Sequence, residues 1–176
     1  MRIEIRVAGF GGQGVVLAGR LLGEAAILDG KRAVQTQSYG PESRGGAARS
    51  EVVVSDEAID YPKVIEADIL VALSQTAFDK YRSTVRADGK VIVDADLVEA
   101  ESEDVYCVPF TRTADDLGKR MVANSVMLGY LVASTGVMAP ESMEATIRDK
   151  VPRHTIDINV RAFNKGVELA KQEGNN

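Results

Sequence analysis

Apolar and polar residues alternate at the start of the chain, and the pattern then changes to that of a helix. Residues 2–8 read RIEIRVA, in which every second side chain is apolar, as in a half-buried strand. After the glycine-rich GFGGQG of residues 9–14, the segment VVLAGRLLGEAAIL has apolar side chains at intervals of three and four. The pattern predicts a strand, a tight turn and a helix that ends near Gly30.

The next segments continue this alternation of strands and helices. RAVQTQ (32–37) is typical of a second strand, so the chain up to this point fits a β–α–β unit with a right-handed crossover. EVVVS (51–55) predicts a short strand between the two halves of a sheet. ADILVALS (67–74) is almost continuously apolar, which indicates a strand buried on both faces of a parallel sheet.

The second half of the chain predicts more strands and longer helices. An Asp-Gly turn precedes a strand over 91–94, and a further strand ends at Pro109. The segment 113–136 is predicted to be the longest helix, packed on one side, and two amphipathic helices follow, the first starting at Pro140. We therefore expect one domain over residues 1–176: an α/β, Rossmann-like doubly wound, mostly parallel sheet with helices on both faces and a frayed QEGNN tail.

Charge and cysteine content exclude several classes of function. The chain has 21 Lys and Arg against 26 Asp and Glu, a net charge of -5, so it lacks the basic footprint of a nucleic-acid-binding protein. Cys107 is the only cysteine, which excludes an internal disulfide or a cysteine-based cluster; its apolar neighbours predict an inert core thiol. No signal-peptide pattern and no run of about 18 apolar residues is present, so we expect a cytoplasmic chain that does not enter a membrane.

The glycines of GFGGQG allow two interpretations. Gly9, Gly11 and Gly14 match G-x-G-x-x-G after a strand and at a helix start, where free N–H groups favour an anion. A dinucleotide site also needs an acidic residue at the end of the second strand, but QTQ (35–37) stands there. The glycines then serve either recognition of a phosphate or a neighbouring backbone, or only close packing of the helix.

A second glycine-rich loop, SYGPESRGG (38–46), is expected to leave the same edge of the sheet if the second strand runs parallel to the first. Arg44 offers a planar fork for phosphate or carboxylate, and Gly45 and Gly46 let another backbone come close. The alternative is a surface turn with an Arg–Glu pair. In the first loop, the amide of Gln13 either bonds a ligand or a partner's main chain, or is solvated.

These motifs together resemble one known family. GFGGQG, QSYGPESRGG, DILVALSQ and ANSVMLG are similar to the gamma subunit of the 2-oxoacid:ferredoxin oxidoreductases, and the resemblance extends to about Val151. The segment AVQTQSYGPESRGGAARSEVVVSDEAIDYPKV (33–64) most resembles the 2-oxoglutarate branch. The pyruvate, branched-chain 2-oxoacid and indolepyruvate branches are alternatives.

The resemblance implies a subunit of an enzyme that oxidatively decarboxylates a 2-oxoacid, joins the acyl group to coenzyme A and reduces ferredoxin. It implies alpha, beta and delta partner subunits in a heterotetramer, with thiamine diphosphate, magnesium and iron–sulfur clusters on the partners and none on this chain alone. The isolated chain is then expected to be inactive and to meet ferredoxin only indirectly, and whether it pairs with itself stays open. Its expected contribution is to complete the assembly and to share the binding of coenzyme A.

The resemblance also gives candidate contact residues for coenzyme A or partner subunits, and no catalytic or metal-binding residue. They lie in the two glycine loops and in ANSVMLG: Gly9, Gly11, Gly12, Gln13, Gly14, Ser38, Tyr39, Glu42, Arg44, Gly45, Gly46 and Asn124. We hypothesise that the helix start at residues 11–14 and Arg44 hold the phosphates of coenzyme A. For Asn124, a buried hydrogen bond is the alternative.

Two other functions stay open from the sequence: a free-standing nucleotide- or flavin-binding reductase, and a scaffold whose glycines serve only subunit packing. Asp94 and Asp96 resemble a carboxylate pair, but at a strand end we expect them to bind local backbone N–H groups. Asp115 and Asp116 are expected near a helix start, where they stabilise the dipole. The single histidine, His154, is expected at the surface or in a cap.

Overall fold

The computed structural model describes residues 1–38 and 47–174. Strands and helices alternate along the chain, in the order β1 (Arg2–Gly9), α1 (Val15–Leu28), β2 (Arg32–Ser38), β3 (Ala48–Ser55), β4 (Ala67–Ala72), α2 (Gln75–Tyr81), β5 (Val85–Asp94), β6 (Val105–Val108), α3 (Phe110–Asp116), α4 (Ala123–Thr135), α5 (Pro140–Lys150) and α6 (Ile156–Glu173). Short 3₁₀ turns occupy 82–84, 120–122 and 153–155.

The strands form one sheet in the order β2-β3-β1-β4-β5-β6. β1, β4, β5 and β6 pair in parallel, whereas β3 is antiparallel to both β1 and β2. The predicted α/β fold with a mostly parallel sheet is therefore confirmed. β2 runs in the same direction as β1, but β3 lies between them and is longer than the strand predicted over 51–55.

Helices cover both faces of the sheet, with five of the described helices on one face and α2 on the other. One face carries the main core, in which α1, α3, α4, α5 and α6 pack on side chains such as Ile5, Val7 and Val71. On the other face, α2 packs its Ala77 and Tyr81 against the opposite side chains of the same strands. The alternating and continuous apolar strand patterns thus place apolar side chains on both faces of the central strands.

The prediction of one long helix over 113–136 is wrong, because α3 ends and α4 begins within this segment. Gly118 has a φ of +85°, a left-handed conformation that ends α3, and Lys119 N–H donates to the carbonyl of Ala114 at 3.1 Å. The longest described helix is α6. Every residue from Ser125 to Val132 in α4 is buried, so this helix packs on all sides rather than on one.

Three smaller predictions are also wrong. The Asp88-Gly89 pair makes no turn before β5; it lies inside β5, near an irregularity in the pairing with β4. Cys107 is exposed rather than in the core, because β6 is the edge strand of the sheet. Asp115 and Asp116 lie at the C-terminal end of α3, not near the start of a helix.

Candidate functional site

The glycine segment after β1 forms a tight turn that leads into α1. Gln13 N–H donates to the carbonyl of Phe10 at 3.2 Å, and Gly12 in between has a φ of +89°. Gly14 is the N-cap of α1 and also has a positive φ, 74°. Because a glycine cap has no side chain, it offers no side-chain acceptor to the first-turn N–H groups of α1.

The side chain of Gln13 fastens this turn to the neighbouring strand. Its Oε1 accepts a hydrogen bond from Phe10 N–H at 2.6 Å, and its Nε2 donates to the carbonyl of Leu73 at 2.7 Å, just beyond β4. A Cβ on Gly9 would overlap Gln13 Oε1 and would lie 3.1 Å from Leu73 Cβ. Gly9 therefore makes room for Gln13, and both ends of the Gln13 amide are engaged by this chain itself.

Asn124 lies on the other side of the turn, at the start of α4. Its Nδ2 donates to the carbonyl of Gly14 at 3.4 Å, and a Cβ on Gly14 would lie 3.0 Å from that Nδ2. Its Oδ1 is buried and has no hydrogen-bond partner within residues 1–38 and 47–174. By contrast, a Cβ on Gly11 or Gly12 would meet nothing within 4 Å, so the backbone there can be approached from outside.

A cavity of about 560 Å³ opens between this turn, the end of β5 and the start of α4. Its lining combines the turn with apolar side chains and a few polar ones: Gly12, Gln13, Gly14, Leu17, Leu73, Asp94, Leu97, Phe110, Thr111, Arg120, Met121, Ala123 and Asn124. Three of its apolar side chains are well exposed, Leu17 and Leu97 at 44% and Met121 at 84%. The volume is of the size that holds part of a cofactor.

Asp94 supplies a buried carboxylate at this cavity. Its side chain accepts hydrogen bonds from Thr111 Oγ1 at 2.6 Å and from Asp96 N–H at 3.1 Å, as expected for a strand-end aspartate. Burial raises the pKa of Asp94, and the hydrogen bonds from Thr111 and Asp96 offset part of that rise. The donors around Asp94 hold it in place as a structural group.

Arg120 brings a positive charge to the same cavity. Its guanidinium forms an exposed ion pair with Asp115 at 2.6 Å. That hydrogen bond raises the pKa of Arg120, and the charges of Asp96 and Asp94 act in the same direction. The nearby Asp96 accepts from the backbone N–H of Arg112 at 2.8 Å and from its guanidinium at 2.6 Å. These pairs are solvent-exposed on the arginine side, so they contribute little to folding stability.

The structure gathers only some of the residues predicted from the sequence. Gly12, Gln13, Gly14 and Asn124 line one cavity, with Gly9 and Gly11 in the same turn. Ser38 ends β2 opposite Arg49, and Gly9 is opposite Ala48, so both predicted loops leave the same edge of the sheet with the start of β3 between them. The other candidates lie outside the described residues: Tyr39, Glu42, Arg44, Gly45 and Gly46.

Sequence reasoning missed the apolar wall of the cavity. Leu97 follows β5 in a loop, and Leu17 is on the first turn of α1, where neither position marks a site. Met121 lies in the segment 113–136 and continues its apolar helical spacing, a pattern that predicts a buried face of the helix. The available signal was an apolar residue within a segment that otherwise reads as a loop, such as Leu97 after Asp96.

Comparison with known proteins identifies the family. A family model described as pyruvate ferredoxin/flavodoxin oxidoreductase matches residues 4–169. The chain belongs to this family. Over 98% of its length and 96% of the relative's, the chain is 55% identical to the 2-oxoglutarate synthase subunit KorC of Methanocaldococcus jannaschii. Two relatives from Methanothermobacter marburgensis are more distant: the ketoisovalerate oxidoreductase subunit VorA, 35% identical, and the pyruvate synthase subunit PorC, 32% identical.

The two more distant relatives differ in the share of their own length that matches this chain. The match with VorA spans 97% of this chain but only 37% of VorA. The match with PorC spans 98% of this chain and 99% of PorC. Among solved structures, the gamma subunit of a keto/oxoacid ferredoxin oxidoreductase from Geobacter sulfurreducens has a TM-score of 0.88, is 44% identical and matches over 98% of both chains. This family member has the same fold and length as the chain.

A longer solved relative was determined with ligands. The 2-oxoglutarate:ferredoxin oxidoreductase from Magnetococcus marinus, with 2-oxoglutarate, coenzyme A and succinyl-CoA bound, has a TM-score of 0.86 and is 25% identical over 97% of this chain and 31% of that chain. Within the part of the present chain that the structure describes, no three His, Cys, Asp or Glu side chains are placed to hold a metal ion. None of the described helices combines the length and apolar character needed to cross a membrane.

Proposed function

We propose that this chain is the gamma subunit of a 2-oxoglutarate:ferredoxin oxidoreductase, which converts 2-oxoglutarate and coenzyme A to succinyl-CoA and carbon dioxide and reduces ferredoxin. The observation that carries the proposal is 55% identity to a 2-oxoglutarate synthase subunit of nearly equal length. Identity falls to 35% and 32% for the ketoisovalerate and pyruvate relatives. This difference favours the 2-oxoglutarate branch over the other branches.

In this proposal, the chemistry takes place on partner subunits of the alpha, beta and delta type. Iron–sulfur clusters need several thiolates, and the chain has one cysteine, Cys107, exposed on an edge strand. The described residues do not fit a magnesium-bound diphosphate either, since no carboxylate cluster is placed for a metal among them. Thiamine diphosphate, magnesium and the clusters are then held by partners in the cytoplasm, and the isolated chain is inactive.

The chain's own contribution is to help bind coenzyme A at the glycine turn. The N-terminus of α1 faces the 560 Å³ cavity, and Gly11 and Gly12 leave their backbone open to approach. Such N–H groups and the helix dipole favour a phosphate. Arg120 lines the same cavity, and we assign a second cation to Arg44 of the neighbouring loop. The apolar wall formed by Leu17, Leu97 and Met121 suits the less polar part of the cofactor.

A free-standing dinucleotide-binding reductase fits this geometry less well. In that class, the second strand lies beside the first and its terminal carboxylate reaches the ribose. Here β3 separates β2 from β1, and β2 ends with Gln35, Thr36, Gln37 and Ser38. The residue type and the strand order therefore both disfavour a ribose contact at the expected place.

Replacement of Arg44 tests the coenzyme A assignment in the reconstituted complex. Arg44→Ala is expected to raise the KM for coenzyme A by about tenfold or more, because a charge-assisted hydrogen bond contributes about 1.5–3 kcal/mol. The KM for 2-oxoglutarate should not change. The matched control is Arg161→Ala, since Arg161 is exposed on α6 and has no ion pair among the described residues. Equal KM values for coenzyme A in wild type and Arg44→Ala would overturn this role.

A further inference from the structure

The side chain of Gln13, which also lines the cavity, fastens the glycine turn to the neighbouring strand. We infer that Gln13 is a positioning residue: its carboxamide holds the turn and the N-terminus of α1 in the conformation that binds the phosphate of coenzyme A. This inference rests on the proposed function and adds to it the residue that sets the binding geometry. The sequence left open whether this amide bonds a ligand, a partner's main chain or solvent; in the structure it binds two main-chain groups of its own chain.

Both ends of the carboxamide bind main-chain groups on two different elements. Oε1 accepts from Phe10 N–H at 2.6 Å inside the turn, and Nε2 donates to the Leu73 carbonyl at 2.7 Å at the end of β4. Leu73 N–H in turn donates to the carbonyl of Ala8 in β1 at 2.8 Å. The amide thus ties the turn to two buried, hydrogen-bonded strands at the centre of the sheet, β1 and β4.

Gly9 belongs to the same arrangement. A Cβ at this position would overlap Gln13 Oε1 and would also approach Val15 Cγ2 to 3.3 Å. Gly9 does not have a positive φ, so its backbone conformation would itself accept alanine. The glycine is needed because the Gln13 carboxamide passes over it, so Gly9 and Gln13 act as one unit.

Loss of the Gln13 hydrogen bonds should weaken the binding of coenzyme A at the glycine turn. The turn and the first turn of α1 line the cavity, and a phosphate site made of backbone N–H groups at a helix start works only while they keep one arrangement. If Gln13 is lost, the turn keeps its glycines but can move away from β4. Coenzyme A should then bind more weakly, whereas the chemical steps, which lie on partner subunits, should be unaffected.

The test is a double-mutant cycle in the reconstituted complex. Gln13→Met keeps the length of the side chain and removes both hydrogen bonds; Gly9→Ala displaces the same carboxamide without changing it. Each variant should raise the KM for coenzyme A by about tenfold, as expected for two hydrogen bonds lost, with kcat and the KM for 2-oxoglutarate unchanged. The KM for coenzyme A in the double variant should not exceed the higher of the two single-variant values, because both changes break the same arrangement.

Matched controls come from the same chain. Gln172→Met changes an exposed glutamine on α6, and Gly23→Ala adds a Cβ that meets only Gln35 Cβ at 4.0 Å. Neither should change the KM for coenzyme A. Hydrogen exchange of the amides of residues 10–16 in the full chain, without coenzyme A, gives a readout that does not depend on the enzyme reaction. It should speed up in both turn variants and in neither control.

The outcomes separate this inference from the function on which it rests. A raised KM in the two turn variants that does not multiply in the double variant supports it. If Arg44→Ala raises the KM for coenzyme A and Gln13→Met does not, the inference is overturned while the coenzyme A role stands. If exchange speeds up but no variant, Arg44→Ala included, changes that KM, Gln13 only supports the fold, and both the inference and the coenzyme A role are overturned.

Discussion

Asp29 shows at the scale of one residue how the fold is tied together at the end opposite the cavity. It follows α1, yet its Oδ1 accepts from the N–H of Ala139 at 3.2 Å and from Ser142 Oγ at 2.9 Å. Ala139 is the N-cap of α5 and has no side-chain acceptor of its own. Asp29 therefore caps α5 through its N-cap residue, which lies 110 residues later in the chain, and Lys31 pairs with the other oxygen of Asp29.

Replacement of this carboxylate should destabilise the chain in a pH-dependent way. Asp29→Ala is expected to lower the free energy of unfolding by about 1–2 kcal/mol near neutral pH, as for loss of a helix cap. The hydrogen bond from Lys31 lowers the pKa of Asp29, with Ser142 and Ala139 adding to it. A lowered pKa means that the stabilisation is complete above the ordinary pKa of aspartate, about 3.9, and fades as the pH falls below it.

Urea unfolding of wild type and Asp29→Ala between about pH 7 and pH 3 measures this effect. The difference in unfolding free energy between the two should shrink as the pH falls. Asp88→Ala is the control, because the Asp88 side chain is 84% exposed and should matter little at any pH. A difference that stays constant or grows toward low pH would contradict the capping role.

At the scale of elements, α4 and α6 form the closest helix pair on the main face of the sheet. A Cβ on Gly129 of α4 would overlap the carbonyl oxygen of Phe163 and lie 2.9 Å from its carbonyl carbon. A Cβ on Gly166 of α6 would likewise overlap the carbonyl oxygen of Val126. Each helix therefore packs on the backbone of the other, and the start of α4, which carries Asn124, is fixed by this contact.

Gly129→Ala should separate these two helices and destabilise the chain by about 1–3 kcal/mol, the usual effect of overpacking. Gly23→Ala in α1 is the matched control, since its Cβ has space and alanine is the better helix former. The control should leave stability unchanged or raise it slightly. Thermal unfolding of the three proteins provides the measurement, and equal melting temperatures for Gly129→Ala and wild type would show that the helices can move apart without loss.

The elements also show which parts of the fold the sequence could predict. Period and turn signals predicted β1, α1, β4 and the last two helices, because those patterns are local. The insertion of β3 between β1 and β2 was not predictable, since partner choice is not written in one strand's pattern. The break at Gly118 was missed because the apolar spacing continues from Leu117 through Met121 across it.

For the candidate site, the sequence indicated the turn and the family, but not the contacts. Glycine spacing after a strand predicted a turn at the start of α1, which is what the structure contains. The internal hydrogen bonds of Gln13 depend on Leu73, 60 residues away, and could not be read from the local pattern. The coenzyme A contacts of the turn, and those of the loop at 39–46, stay predictions.

At the scale of the whole molecule, one edge of the sheet combines the features on which the proposed function rests. The open backbone of Gly11 and Gly12, the cavity and the exposed Leu17, Leu97 and Met121 all lie there. At the opposite end, Asp29 makes internal contacts beside the exposed side chains of Ile27 and Leu28. The edge with the cavity is the one that the proposed function assigns to coenzyme A and to partner chains.

The most direct test of the central claim is reconstitution of the complex with and without this chain. The partner subunits are purified together, and reduction of ferredoxin is followed with 2-oxoglutarate, pyruvate or 2-oxoisovalerate in the presence of coenzyme A. We expect ferredoxin reduction and succinyl-CoA formation only when this chain is present, with the highest kcat/KM for 2-oxoglutarate. Full activity of the partners without this chain, or ferredoxin reduction by this chain alone, would contradict the account.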